Sequence, residues 1–389
     1  METVMKTALT ALLAMLCLTA CQPESNFNIE QQQQLDGSQA LQLSVEGGFV
    51  LPPIPDDNPL TDAKAELGRH LFYDVRLSGN GQQSCESCHQ QSLAFTDGKA
   101  LPQGSEGHTL VLNSQSLTNV AYNASYTWWN PILVEMEDQL FIPLTGDDPV
   151  ELGIDDGNRE QVLQRFRDDE QYQSLFAAAF PQQAEPVTLV NVVKALASFV
   201  RTLISDRSAF DRGELSDSAL RGRELFFSEK MECFHCHNGF NFSSSTVTVN
   251  TRFPERVFFN NGLYNLNNNG SYPSAMPGKF KVTNDWADMG AFRPPTLRNI
   301  ELTAPYMHDG SIATLEQVIE FYAAGGRHIE SGANAGDGRI NPYKSDFVSG
   351  FEATEQEKQD LINFLHSLTD YEFIRDPRFA NPFAEQPDA

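Results

Sequence analysis

Positive charge is scarce in this sequence: 27 Lys and Arg stand against 52 Asp and Glu, for a formal net charge of −25. A field of that sign repels nucleic acid and anionic membrane surfaces, so a partner should present a basic or neutral face. A membrane-spanning run is missing from the N-terminus. There Ala8 to Leu18 is too short to cross a bilayer and, behind Lys6, reads as a cleaved secretory leader. Strand-rich text is missing too, which leaves a mainly helical fold with long functional loops. Cysteine is sparse. Of six, Cys17 and Cys21 lie in the leader region, and the body of the chain keeps only Cys85, Cys88, Cys233 and Cys236. At 389 residues the chain exceeds what one compact core usually supports, so two domains are expected.

The leader ends in Leu18-Thr19-Ala20-Cys21, which resembles a bacterial lipoprotein box and implies a lipoprotein signal region at residues 1–21, with a lipid on Cys21 after cleavage ahead of it. Gln22, not Asp, follows, which points to the periplasmic face of the outer membrane. A plain signal peptide with an incidental cysteine is the alternative. Residues 22–48, with a run of four glutamines and few apolar positions, read as a flexible tether.

The four remaining cysteines form two C-x-x-C-H motifs, Cys85-Glu86-Ser87-Cys88-His89 and Cys233-Phe234-His235-Cys236-His237. That spacing is the attachment signal for c-type haem: two thiols add to the vinyl groups along one haem edge, and the next His becomes the proximal iron ligand. A disulfide pair or a zinc site built from both pairs would leave His89 and His237 unexplained.

Each motif follows similar text, LGRHLFYD at 67–74 and RGRELFFS at 221–228, so the chain reads as a duplicated unit. Leu189, Val192, Val193, Leu196, Phe199, Val200 and Leu203 repeat at helical spacing behind the N-cap Thr188 and close the first unit, residues 49–205. Residues 205–218 read as the linker into the second unit, 206–389. There Thr354 and Glu357 form a capping box ahead of the packing face of Leu361, Ile362, Phe364, Leu365 and Leu368. Leu315, Val318, Ile319 and Tyr322 share another helical face that Gly325-Gly326 ends. By that spacing alone, Tyr322 is an inward-facing core tyrosine.

From about Pro59 to Asp370 the chain resembles the bacterial di-haem cytochrome c peroxidase family, which includes MauG. The matching text is LFYDVRLSGNGQQSCESCH, NSQSLTNVAYNASYTWW, DPVELG and RPPTLRNIELTAPYMHDGSIATLE. The resemblance implies two tandem cytochrome c-like domains, each with one covalent haem, and peroxide chemistry at the first haem, held by His89. It implies Glu151 and Gln139 in the distal pocket, where a carboxylate shuttles a proton between the peroxide oxygens. It further implies a Trp between the haems, Trp128 by its distance from Asn123 or Trp129 by its distance from Gln139, with Trp128 preferred. A calcium ion is implied on the Asn113 side chain and the Thr303 and Pro305 carbonyls.

The resemblance also changes the reading of Tyr322. Fourteen residues after the His of the TAPYxH text, at 308, ordinary members carry the methionine that is the second ligand of haem 2. MauG-type members carry tyrosine there, as this chain does. A phenolate favours ferric and ferryl iron, so His237 and Tyr322 imply a haem 2 that holds an oxidising equivalent. Within the family the text is most similar to the methanobactin-associated branch, MbnH and its relatives. These use hydrogen peroxide to reach a di-ferryl state and oxidise a Trp of a small periplasmic partner, MbnP, to kynurenine so that it helps bind copper. The alternative is a peroxide scavenger fed by a small cytochrome or cupredoxin, with Met276, Met289 or Met307 on haem 2. A non-enzymatic electron carrier is the third class. His108, near a position where some members carry a distal His, is a further ligand candidate, while His70 and His366 read as helix or packing residues.

Overall fold

The computed structural model describes residues 39–384; the leader, Cys21 and residues 22–38 of the expected tether lie outside the described residues. Helices α1 (Asp62–Tyr73), α2 (Met136–Thr145), α3 (Arg159–Arg167), α4 (Glu170–Ala179) and α5 (Leu189–Arg201) come first in the chain. After them come α6 (Asp217–Phe226), α7 (Phe280–Thr283), α8 (Leu315–Ala323) and α9 (Glu355–His366). Strands are two residues long: β1 (Phe259–Asn260) pairs antiparallel with β2 (Ala291–Phe292), and β3 (His328–Ile329) with β4 (Gly336–Asp337). The fold is mainly helical, as the sequence implies.

The helix starts follow the side chains that cap them. Thr61, Thr188, Ser216, Thr314 and Thr354 accept a hydrogen bond from the backbone N–H three residues on, and Glu357 completes the box at Thr354. Such caps satisfy amides that a helix cannot pair internally.

Two helix crossings frame the molecule, and they match atom for atom. Helix α1 crosses α5 at Gly68, where a Cβ would lie 1.9 Å from the Ala195 carbonyl oxygen and 2.9 Å from Phe199 Cβ. Helix α6 crosses α9 at Gly222, where a Cβ would lie 1.9 Å from the Asp360 carbonyl oxygen and 2.9 Å from Phe364 Cβ. One turn on, Phe72 meets Phe199 with ring centroids 5.2 Å apart, and Phe226 meets Phe364 at 5.3 Å. Glycine is required at each crossing because the two backbones are in contact.

A second pair of equivalent positions joins the two halves. Asn119 and Asn299 both adopt left-handed backbone, φ 55° and 59°, and each opens a short 3-10 turn. The Asn119 N–H donates to Leu203 O (2.9 Å) and the Asn299 N–H to Leu368 O (3.0 Å). Their side-chain oxygens accept from Ser205 N and Asp370 N, each at 2.7 Å. The two sets interlock, because Asn299 Nδ2 also reaches Ser205 Oγ (3.0 Å) and Thr118 Oγ1 (3.3 Å). All of these side chains are buried.

Each crossing carries its own core. Leu67, Phe72, Phe95, Phe166, Tyr172, Phe176, Leu196 and Phe199 belong to the first; Phe226, Phe242, Leu263, Phe292, Ile319, Phe364 and Leu368 belong to the second. The stretch expected as a linker is packed over residues 205–211 and exposed over most of 212–217. Ser205 and Ser208 are fully buried, and Asp211 forms a buried ion pair with Arg298 at 2.7 Å. Residues 39–48, the end of the expected tether, are also held, through Leu41 N to Leu60 O (3.1 Å) and Glu46 N to Asp206 Oδ2 (2.6 Å). The C-terminal tail returns to the first core, where Phe373 and Phe379 are buried and Tyr73 Oη donates to Phe379 O at 2.6 Å.

Gly68→Ala and Gly222→Ala should each destabilise the haem-loaded protein by about 3 kcal/mol, the upper range for overpacking a tight interior. Thermal unfolding followed by far-UV circular dichroism tests this, and unchanged midpoints would mean the crossings are looser than described.

Candidate functional site

Both C-x-x-C-H motifs are wound into short 3-10 turns, Cys85–Ser87 and Cys233–His235. His89 Nδ1 lies 2.8 Å from Phe95 O, and His237 Nδ1 lies 3.1 Å from Phe242 O. With a carbonyl as partner, Nδ1 must carry the proton, which leaves each Nε2 lone pair free for a metal. The two carbonyls are presented by matching strained residues: Phe95 and Phe242 are in left-handed backbone, φ 61° and 48°, uncommon for a bulky side chain. Burial lowers the pKa of His89, and that of His237 to about 4, so both rings are neutral, as ligation needs. None of the four thiols is in a disulfide, and burial pushes all four up to about 12. Among the described residues the two cysteine pairs do not meet, so a shared zinc site is excluded as well.

Around the second motif lies a cavity with about 1320 Å³ of empty space, part of it open to solvent. Cys233, Cys236, His237, Trp128, Met307 and Tyr322 all line it, among mostly apolar side chains. Two thiols, a neutral imidazole with a free lone pair and a phenol on one apolar cavity fit a covalently attached haem with two protein ligands.

The model of the di-haem cytochrome c peroxidase family matches residues 62–219. The methylamine utilization protein MauG of Methylorubrum extorquens is 32% identical over 341 residues, covering 86% of each chain. The chain is a di-haem cytochrome c peroxidase family member. Cytochrome-c peroxidase IdrP1 of Denitromonas iodatirespirans is 32% identical over 337 residues, 82% of this chain and 84% of that one. Among solved structures, a MauG-like protein associated with microbial copper homeostasis is 45% identical, with a TM-score of 0.87 over 89% of this chain and 100% of that chain. The enzyme is thus a di-haem peroxidase of the MauG and cytochrome c peroxidase type, and its family implies two c-type haems.

In this peroxidase the sequence-derived residues fall as follows. Glu151, behind the Asp147–Val150 bridge, is close enough to Cys85 and Cys88 for its charge to act on both thiols. Burial pushes its carboxyl up to about 7. Gln139 is half-buried on α2, and its Oε1 is enclosed without a partner. Trp128 is on the wall of the second cavity and donates Nε1–H to Asn113 O at 2.9 Å. Trp129 instead stacks toward Phe292 at 6.1 Å and lies under Lys281. Asn113 meets the segment after Thr303 and Pro305 through its N–H to His308 O, 2.8 Å, and its side-chain amide donates to Lys99 O, which leaves Oδ1 free.

His108 does not join a site. Its side chain is 68% exposed, beside Glu106, because the loop carrying it points to solvent. Of the three methionines considered, only Met307 lines the cavity; Met289 is buried elsewhere in the second core and Met276 packs against its edge. His70 and His366 lie in the last turns of α1 and α9. Sequence reasoning missed Asn261, which hydrogen-bonds Tyr322 and donates to Met307 Sδ at 3.5 Å. It also missed Arg293 and His308 as cavity residues. Their position just before and within the TAPYMHDG text was the available signal.

The purified protein should give two haem c per chain in a pyridine haemochrome assay, and Cys233→Ser/Cys236→Ser should give one. Retention of both covalent haems in that variant would refute attachment at the second motif.

Proposed function

We propose that the protein uses hydrogen peroxide to oxidise a side chain, a Trp converted to kynurenine, on a small periplasmic partner that takes part in copper binding. The observation that carries this reading is Tyr322, whose ring lines the same cavity as His237, Cys233 and Cys236. Burial pushes its hydroxyl up to about 12, against a hydrogen bond from Asn261 that favours the phenolate. A ferric iron held by His237 and Tyr322 would supply the remaining positive charge. The relative linked to copper homeostasis, 45% identical along all of its length, supports the partner class.

The two haems, when bound, supply the two-electron reduction of peroxide and the storage of both oxidising equivalents. His89 and His237 would each offer Nε2 to one haem iron, with Nδ1 fixed on Phe95 O and Phe242 O. Glu151, ionised, would take a proton from one peroxide oxygen and return it to the other, which could then leave as water. Gln139 Oε1, which has no partner in the protein, accepts a hydrogen bond from the peroxide. Trp128, its indole fixed by Asn113 O, would carry charge between the haems, and Asn113, Thr303 and Pro305 would hold a calcium ion. Residues 49–205 and 206–389 form the two cytochrome c-like domains, and a lipid on Cys21 tethers them at the periplasmic face of the outer membrane.

Met307 favours a second reading, since its sulfur reaches the same cavity. With Met307 on haem 2 the enzyme would scavenge peroxide with electrons from a small cytochrome or cupredoxin.

One equivalent of peroxide, added to the diferric protein without reductant, should change the optical and Mössbauer spectra of both haems. Tyr322→Met should abolish the change at haem 2, whereas Met307→Leu should preserve it. A requirement for prereduction in the wild type sinks the proposal and returns the scavenger. With a cognate partner present, mass spectrometry should find its Trp converted to kynurenine.

The second-order rate of peroxide reaction should rise with pH through about 7 and then level, because Glu151 is protonated and inactive below its raised pKa. Glu151→Gln should lower the rate by roughly 10²–10⁴-fold and flatten the profile; a variant with an unchanged profile assigns the titration to another group.

A further inference from the structure

Arg293 is 3% exposed and hydrogen-bonds to the segment that carries Trp128. Its backbone N–H donates to Trp128 O at 2.8 Å, its Nε to Thr127 O at 3.2 Å, and its Nη2 to Gln115 Oε1. Nη1 is enclosed with no partner, although Arg293 lines the second cavity. No carboxylate among the described residues lies within ion-pair distance of this guanidinium. Burial lowers its pKa only to about 10, so it is charged at neutral pH. A buried cation with no counter-ion and an idle donor is costly unless an anion joins it.

His308 shows the same pattern from the other side of the loop. It is 3% exposed, lines the same cavity, and its Nε2 is enclosed without a partner. Stacking on Phe292, 3.6 Å between centroids at 10°, holds the ring in place. Burial keeps it neutral, so it can offer one N–H. Its carbonyl accepts from Asn113 N, and Asn113 O in turn accepts from the Trp128 indole. Both residues thus grip the surroundings of Trp128 while leaving one donor each for the cavity.

We propose that Arg293 and His308 are positioning residues that bind the two carboxylates of haem 2 and hold that haem in register with Trp128. The inference rests on haem 2 occupying this cavity and not on which residue is its second axial ligand. The haem carboxylates are the anions that a haem-filled cavity would bring to these donors. A charge-assisted pair with Arg293 and a neutral hydrogen bond from His308 would satisfy both orphan groups. Because the same two residues fix Trp128, tilting the haem would require the Trp128 loop to move as well.

The test uses haem-loaded Arg293→Gln, Arg293→Lys and His308→Gln, with haem c content measured first by pyridine haemochrome. Resonance Raman spectra should show a shifted carboxylate bending mode at haem 2 in Arg293→Gln and His308→Gln. Spectroelectrochemistry should show a lower haem 2 midpoint potential in Arg293→Gln, because loss of a buried positive charge disfavours the reduced iron, and recovery in Arg293→Lys. Haem 1 should be unchanged in all three. Unshifted carboxylate modes and potentials in Arg293→Gln overturn the inference, as does a change confined to the phenolate signature of Tyr322. Should Arg293→Gln mature without haem 2, the Raman spectrum of His308→Gln decides alone. Tyr322→Met alters the axial ligand yet should leave the carboxylate modes in place, which separates a failure here from a failure of the proposed reaction.

Discussion

Everything else in this molecule hangs from two places where backbone touches backbone. At Gly68 and at Gly222 a helix lies so close on its partner that a single carbon would collide with a carbonyl group. Close-packed interiors transmit small displacements instead of absorbing them. Each crossing therefore fixes the start of its own loop system, from the C-x-x-C-H turn to the left-handed Phe whose carbonyl orients the histidine. The geometry is repeated from Gly68 to Phe95 and from Gly222 to Phe242, which makes the duplication a repetition of physical constraints as well as of letters.

Charge placement follows from the same frame. An acidic chain has few cations to spare, and it buries several of them at chosen points: Arg298 against Asp211, Arg201 against Glu137, and Arg293 without a carboxylate. The first two are paired and can be read as structural, with the usual small net contribution of buried ion pairs. The third differs in kind, since a paired arginine completes a core while an unpaired one waits for a ligand. Glu151 is the acidic counterpart, a half-buried carboxyl with no basic partner and a pKa displaced by desolvation alone. Such isolated buried charges mark working sites more often than scaffolding.

Much of this was legible in the text of the chain. The capped helices at Thr188 and Thr354, the C-x-x-C-H pairs and the repeat around Gly68 and Gly222 are local patterns, and local patterns depend on few contacts. The second repeat, LTNVAY at 117–122 against LRNIEL at 297–302, was equally present in the letters. It escaped because its meaning lies in left-handed Asn residues that bond to segments far along the chain. The stretch at 205–218 reads as a linker from its Ser, Asp and Gly, and the buried Asp211–Arg298 pair that anchors its first part has no signature in composition. Helical spacing placed Tyr322 inward, and its position fourteen residues after His308, read through the family resemblance, gave it a role beyond the core. Asn261, in a loop without periodicity, could be recognised only from what it touches. Arg293 and His308 stood within quoted family text, but their unpaired atoms are a property of three-dimensional packing and have no signature in spacing.

The returning tail has a consequence for the order in which the molecule can be completed. Phe373 and Phe379, near the end of the chain, are part of the core built around Gly68, and Gln91, two positions beyond His89, donates to Asp376 O at 2.9 Å. A chain made from its N-terminus cannot close that core until residues 373–379 have arrived. The core around the earlier C-x-x-C-H motif is therefore completed only after the later motif, at 233–237, has already been made.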